Sequence, residues 1–468
     1  MLDRRYLKDL VNWMNRDRRK PLMVWGARQV GKTYLVKDIF AERFYKDRYV
    51  YIDCRVENDF CRYCEKNTNP KDILNYISLD KGLTIGPDTL LIFDEAQECL
   101  SIVTLMKYFC QDYGEIPIIV TGSMVRIRIK RKKRGVADNG FLFPIGKINE
   151  LTITPMSFDE YLYNRNRPMY DAIIRFYNER KPMEQAFHDK AMSLFHEYLL
   201  IGGMPEAVDT FLRTENFNEV RTVLMGLYGN YLADMELYQA SQESIVRSRA
   251  VFSSIYSQLS KESKNFKPSL VEKGSRTRDL RSPLDWLSEA HVVNIAKQLD
   301  EHVSLPLVEK EGLFRIYLGD VGMFTFQSNV NPVSFVSEDG RNTLSGIFYE
   351  NFIAEELTSR GFPFFYWRSK GDSEFEFILD HGGYAIPIDV KKRKGPLRSL
   401  DRFMEHNRFD YAVKVSGNNY GFDESRRILT IPFYQFFLYM DGLLEERRLS
   451  MESLSLRNGP DADADMSG

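Results

Sequence analysis

The sequence predicts a multidomain α/β protein: an N-terminal parallel α/β domain, a helical middle, and a second α/β domain towards the C-terminus. Three observations predict it. A chain of 468 residues exceeds what one core ordinarily fills, so two to four domains are expected. Residues 1–165 alternate strongly apolar strand-like runs with helical stretches, the pattern of a parallel sheet covered on both faces. Residues 336–445 return to such an alternation after a mainly helical stretch.

The elements follow in order. A polar helix from Arg4 to Asn15 precedes the apolar run Pro21–Trp25, which reads as a buried strand entering a glycine-rich turn. A helix from Lys32 leads to the strand Tyr49–Asp53, and a further helical stretch to the strand Thr89–Asp94, which ends in acids. A third apolar strand is Ile116–Ser123. Residues 166–240 are helical in pattern, punctuated by the turn Gly202-Gly203-Met204-Pro205. Residues 241–335 open with a helix carrying Ile245, Val251, Ile255 and Leu259 on one face. A second helical segment near Pro283 to Leu299 and a strand-like piece at Leu313–Leu318 complete a winged-helix-like pattern. In 336–445, a helix from Gly346 to Arg360 precedes strands at Phe364–Trp367, Glu374–Leu379 and Ala385–Lys391. Residues 446–468 are polar and repetitive and read as a disordered tail.

Composition narrows the class. A hydrophobic fraction of 43% supplies a globular core, and a net charge of −2 means that any nucleic-acid surface must be local. No apolar run approaches the roughly 18 residues of a membrane span, and the start Met1-Leu2-Asp3-Arg4-Arg5 lacks a signal-peptide core, so a cytoplasmic protein with no membrane partner is expected. Five cysteines, Cys54, Cys61, Cys64, Cys99 and Cys110, argue against a disulfide framework. Cys61 and Cys64 form a CxxC with Cys54 nearby. A zinc site would want a second pair or a histidine, and the first histidine is His188, so reduced cysteines on a helix are expected.

The most specific signal is Gly26-Ala27-Arg28-Gln29-Val30-Gly31-Lys32-Thr33, a GxxxxGK[ST] phosphate loop between an apolar strand and a helix. Its glycines let backbone N–H groups converge on phosphates at a helix N-terminus. Lys32 would neutralise the β- and γ-phosphates of ATP, and the Thr33 hydroxyl would ligate Mg²⁺. About sixty residues later Asp94 and Glu95 close a buried strand. Asp94 is expected to hold Mg²⁺ and Glu95 to orient and deprotonate the attacking water. Ser123, with Thr121 as the alternative, stands at the end of the next strand, where a polar side chain can sense the γ-phosphate. Arg126, Arg128, Arg134 and Lys147 are candidates for a cation completing a neighbouring subunit's site. The run Arg126–Arg134, with seven Lys or Arg in nine positions, is either a phosphate-binding surface for DNA or a solvated loop.

Near the C-terminus, Glu350 lies on a helix, Glu374 and Glu376 share one strand face, and Asp389 and Lys391 share a face one strand later. This is the layout of PD-(D/E)XK nucleases, in which acids hold a divalent metal and the lysine assists water or the developing charge. Glu376 and Asp389 are thus the candidate metal ligands, with Glu350 and Lys391 beside them.

Taken together, these motifs, with Phe93–Gln97, Thr121–Ser123, Pro155–Phe158, Gly202–Pro205, Tyr366–Arg368 and Ile388–Lys391, resemble prokaryotic AAA-type P-loop ATPases with a C-terminal domain of unknown function and restriction-endonuclease-like fold. The resemblance implies a P-loop ATPase domain at 1–165, a helical lid at 166–240, a winged-helix-like domain at 241–335 and the nuclease-like domain at 336–445. One strand departs from that family's usual acid-x-Asp-Phe, reading Glu374-Phe375-Glu376-Phe377, and Asp389 stands where Glu is more usual. Three functions fit: an ATP-driven switch coupled to the C-terminal domain, an ATP-regulated metal-dependent DNA nuclease, and a non-catalytic ATP-liganded DNA-binding regulator. A homo-oligomer is compatible with each.

Overall fold

The computed structural model describes residues 2–123, 143–239, 241–332, 346–369, 373–391, 400, 402, 403, 407 and 409–457. The chain forms two compact units, and neither is a continuous stretch. The first comprises Met1–Met156, Gly202–Ser254 and Pro268–Val293; the second comprises Ser157–Ile201, Ile255–Lys267 and Asn294 onward.

In the first unit five short strands, β1 (Leu22–Trp25), β2 (Tyr49–Asp53), β3 (Leu90–Asp94), β4 (Ile118–Thr121) and β5 (Asn149–Thr152), form a parallel sheet in the order β2-β3-β4-β1-β5. Every residue of β1, β3 and β4 is buried, as their unbroken apolar sequences require in the middle of a covered sheet. Helices Asn58–Lys66, Pro70–Lys81 and Leu100–Asp112 contribute Phe60, Ile73 and Phe109 to the core beneath Phe93 and Val120. Of the helical stretch expected at 166–240, residues from Gly202 belong here, including the helices Pro205–Thr214 and Phe217–Tyr238.

The second unit holds an eight-stranded mixed sheet in the order β12-β13-β11-β10-β9-β8-β6-β7. Its strands are β6 (Val293–Leu299), β7 (Glu309–Leu318), β8 (Phe365–Arg368), β9 (Glu374–His381), β10 (Tyr384–Lys391), β11 (Ala412–Ser416), β12 (Gly421–Asp423) and β13 (Ile428–Pro432). Here the sequence reading needs three corrections. Residues 293–299 are a strand and not the end of a helix: the helix stops at Glu289, His291 turns with φ 57°, and the β-branched Val292-Val293 follows. The piece at Leu313–Leu318, expected in a winged helix, lies in β7 at the edge of this sheet. The Phe436–Arg457 helix runs past the expected start of the tail, because Phe436, Phe437, Met440 and Leu443 bury its first turns.

The Ile347–Ser359 helix lies at the heart of the second unit, with acids as well as apolar residues buried. Each buried polar group has work to do. Asn351 accepts from the Leu318 N–H at 2.8 Å and donates to its carbonyl at 3.2 Å. Glu355 accepts from Tyr198 Oη at 2.7 Å and the Val321 N–H at 2.8 Å, and burial raises its pKa well above the usual carboxylate range. Glu356 accepts from the Phe158 N–H at 2.9 Å and pairs at 2.6 Å with Arg360, which is 1% exposed. Arg360 also pairs with Asp159 at 2.9 Å and with Asp441 at 2.8 Å. Arg360→Met would keep the volume and leave Glu356 and Asp159 without their cation, at a cost of about 3–5 kcal/mol. A markedly lower midpoint of chemical denaturation is expected, and an unchanged midpoint would contradict the assignment.

Candidate functional site

The phosphate loop leaves the end of β1. Gly26 has φ 140°, and a Cβ there would lie 2.1 Å from the Ile153 carbonyl oxygen, so no side chain fits. Gln29 also adopts positive φ, 63°, and its side chain accepts from Asn230 Nδ2 at 3.0 Å. Arg4, 5% exposed, donates to the carbonyls of Val30 and Thr154, each at 2.8 Å, fastening the loop from outside. Arg28 pairs with the buried Asp234 of the Phe217–Tyr238 helix. Beyond the loop the chain continues as a π-helical segment, Tyr34–Ala41.

The turn at Gly202–Pro205 is more than punctuation. Met156, the last residue before the chain leaves the first unit, donates its N–H to the Gly203 carbonyl at 2.6 Å. A Cβ on Gly203 would fall 1.9 Å from the Met156 carbonyl oxygen, and Pro205 lies 3.4 Å from where a Cβ on Gly31 would project. The segment is therefore packed against the phosphate loop.

Lys32 is buried and donates to the carbonyls of Gly26 at 3.1 Å and Ala27 at 2.7 Å. Burial pulls its pKa down to about 8, against the opposing pull of Glu95 and Asp94. Asp94, 2% exposed at the end of β3, gathers the surrounding elements. It accepts from Thr33 Oγ1 of the loop at 2.7 Å, from Tyr51 Oη of β2 at 2.8 Å, and from Thr121 Oγ1 of β4. The Glu95 N–H donates to it at 2.9 Å. Glu95 sits in the left-handed region at φ 53°, a costly conformation for a non-glycine residue. Its carboxylate accepts from Gln97 Nε2 and lies 3.8 Å from Arg55. Arg55 also holds Asp53 at 2.7 Å.

The loop from Gly26 to Thr33 thus meets Asp94 through Thr33, with Glu95 next along the chain. At the end of β4 it is Thr121, the alternative, that touches Asp94; Ser123 is buried just beyond. The sheet order sets this by placing β4 between β1 and β3. Tyr51, Arg55, Arg4 and Asp234 were not singled out in the sequence. Tyr51 and Asp53 share the less buried face of β2, a periodicity that points to them; Arg4 and Asp234 carry no local signal. The run Arg126–Arg134, including Arg126, Arg128 and Arg134, lies outside the described residues, and Lys147 is in the turn before β5.

The second cluster lies in the other unit. Lys391 is 2.8 Å from Asp389 and 3.5 Å from Glu376, and the Val390 N–H donates to Glu376 at 3.1 Å. Burial and then Glu376 push the Asp389 carboxyl up to about 6, opposed by Lys391 and Lys414. Asp389 Oδ2 and Glu350 Oε2 are buried without a hydrogen-bond partner among the described residues. Glu350 is engaged instead by Lys264 at 2.6 Å, and Glu374 by the fully buried Arg315 at 2.7 Å. Glu376, Asp389 and Glu350 do not close into a three-ligand group among the described residues, because Lys264 takes up Glu350.

Residues 18–162 match the model of an AAA domain, 192–334 a domain of unknown function (DUF8612), and 345–434 a domain of unknown function (DUF4143). No curated protein matches the chain. Among solved structures, the Walker-type ATPase PABY2304 of Pyrococcus abyssi is similar at 17% identity and a TM-score of 0.40, over 70% of this chain and 96% of that one. AMPPCP-bound DnaA from Aquifex aeolicus is similar at 15% identity and a TM-score of 0.24, over 60% of this chain and 86% of that one. No helix among the described residues is long and apolar enough to cross a membrane. The chain thus carries an AAA domain at residues 18–162 and a DUF4143 domain at residues 345–434.

Proposed function

We propose that this protein binds and hydrolyses Mg-ATP in its first unit and that nucleotide state acts as a switch on the C-terminal domain. The observation that carries the reading is the convergence on Asp94 of Thr33, Tyr51 and Thr121, with Glu95 next along the chain. A hydroxyl and a carboxylate already in contact form the oxygen donor set that Mg²⁺ takes. Bound Mg²⁺ would neutralise phosphate charge during transfer. Lys32, held by loop carbonyls, would turn its ammonium to the phosphates, and N–H groups of the loop would cradle them. Glu95, next to Asp94, would accept the proton of the attacking water, and Thr121 would relay the state of the γ-phosphate to Asp94.

The path of the chain supports coupling. The chain passes between its units five times, after residues 156, 201, 254, 267 and 293, and the Gln242–Leu259 helix contains one of these crossings. Purified protein should release phosphate from ATP in Mg²⁺, and Glu95→Gln should retain ATP binding while turnover falls by about 10²-fold or more. Equal turnover in the two proteins would remove Glu95 from the mechanism, and no release by either would leave an ATP-liganded regulator.

A second reading, a metal-dependent nuclease, is favoured by the buried, unpartnered Asp389 Oδ2 beside Glu376 and Lys391. These residues offer two carboxylates to a divalent ion and an ammonium to the developing charge. Under this reading, plasmid or linear DNA is cut in Mg²⁺ or Mn²⁺ and cutting is lost in both Asp389→Ala and Lys391→Ala. Absence of cutting by the parent protein, or cutting that survives both substitutions, argues for a binding role of this fold.

A further inference from the structure

The CxxC that lacked partners in the sequence acquires two in the fold. Cys54 directly follows β2, and its N–H donates to the Asp94 carbonyl at 3.0 Å. Cys61 and Cys64 lie one turn apart on the buried face of the Asn58–Lys66 helix. Cys99 is the N-cap residue of the Leu100–Asp112 helix, four positions after Glu95. The sulfurs of Cys54, Cys61 and Cys99 all lie within 4.8 Å of one another, and Cys64 follows Cys61 by one turn on the same buried helix face. Cys54, Cys64 and Cys99 are each 2% exposed, Cys61 is 9% exposed, and all are free thiols. The fifth cysteine, Cys110, is less buried and stands apart from this group.

We propose that Cys54, Cys61, Cys64 and Cys99 form a mononuclear tetrathiolate site for Zn²⁺. Four thiolates around zinc at about 2.3 Å stand roughly 3.8 Å from one another, so the observed gathering needs only a small closure. Three of the five cysteines, from three separate elements, bring their sulfurs together, and Cys64 stands one turn from Cys61 on the same buried helix face. The Cys61 thiol also donates to the Cys54 carbonyl at 3.6 Å, and the Ile102 N–H donates to the Cys99 carbonyl at 3.0 Å. Zinc would displace the thiol protons and join the end of β2, the Asn58–Lys66 helix and the start of the Leu100–Asp112 helix.

The location gives the site a consequence. Arg55, adjacent to Cys54, holds Asp53 and approaches Glu95, while Cys99 closes the turn that begins at Glu95. A metal fixing both segments would keep Glu95 in its left-handed conformation, so it would be a positioning device and not part of the reacting set. That last step rests on the role proposed for Glu95; zinc binding itself does not.

Full-length protein purified without chelators should carry about one zinc per chain, and reconstitution with Co²⁺ under reducing conditions should give the visible bands of tetrahedral cobalt tetrathiolate. Cys64→Ser and Cys99→Ser should lose both signals, and Cys110→Ser should keep them. If the first two variants fail to fold, the parent protein still decides: an organomercurial should release its zinc to a chromogenic chelator. Metal-free protein that gives no cobalt spectrum would overturn the site. So would a disulfide joining any two of the four cysteines, or a coloured iron centre in place of zinc.

Discussion

One buried carboxylate holds the first unit's chemistry in place. Asp94 carries a charge that water does not reach, and such a group is tolerated only when donors surround it. Its donors come from the phosphate-loop helix, from β2, from β4 and from its own next residue, so satisfying one charge brings four segments into register. The parallel sheet delivers these segments to the same edge, since all the strands involved end on one side. Around this centre the close approach of Gly26 to Ile153, and of Gly203 to Met156, fixes the backbone that a side chain would push away.

The second unit solves a related problem differently. Its central helix buries Glu350, Glu355 and Glu356, and each is answered by a different partner: Lys264, Tyr198 with a backbone N–H, and Arg360. Lys264 and Arg315 neutralise the outer acids Glu350 and Glu374, leaving Glu376, Asp389 and Lys391 as a compact set. Arg315 also stacks 4.1 Å from the centroid of the Tyr366 ring, which helps a guanidinium to remain charged inside a protein.

Much of this was legible in the sequence because the relevant signals are local. β1, β3 and β4 are unbroken apolar runs, and the loop motif depends on residues within one turn. What was not legible depends on distant pairing. Arg4 and Asp234 reach the loop from far along the chain, and the gathering of Cys99 with Cys61 and Cys64 is visible only once β2 and β3 lie side by side. The division into units was hidden for the same reason, since the helical stretch after Ser157 splits between two cores at Gly202. β6 was misread because seven residues of mixed polarity after a helix carry little period of their own.

The most direct measurement is calorimetric titration of ATP into the parent protein and Asp94→Asn, each in Mg²⁺ and in EDTA. If Asp94 is the anchor of the metal-bound nucleotide, Mg²⁺ should tighten ATP binding to the parent by about tenfold or more, equivalent to ~1.4 kcal/mol, and should do little for the variant, while the two bind alike in EDTA. A variant that folds and keeps the full gain from Mg²⁺ would contradict the account at its centre.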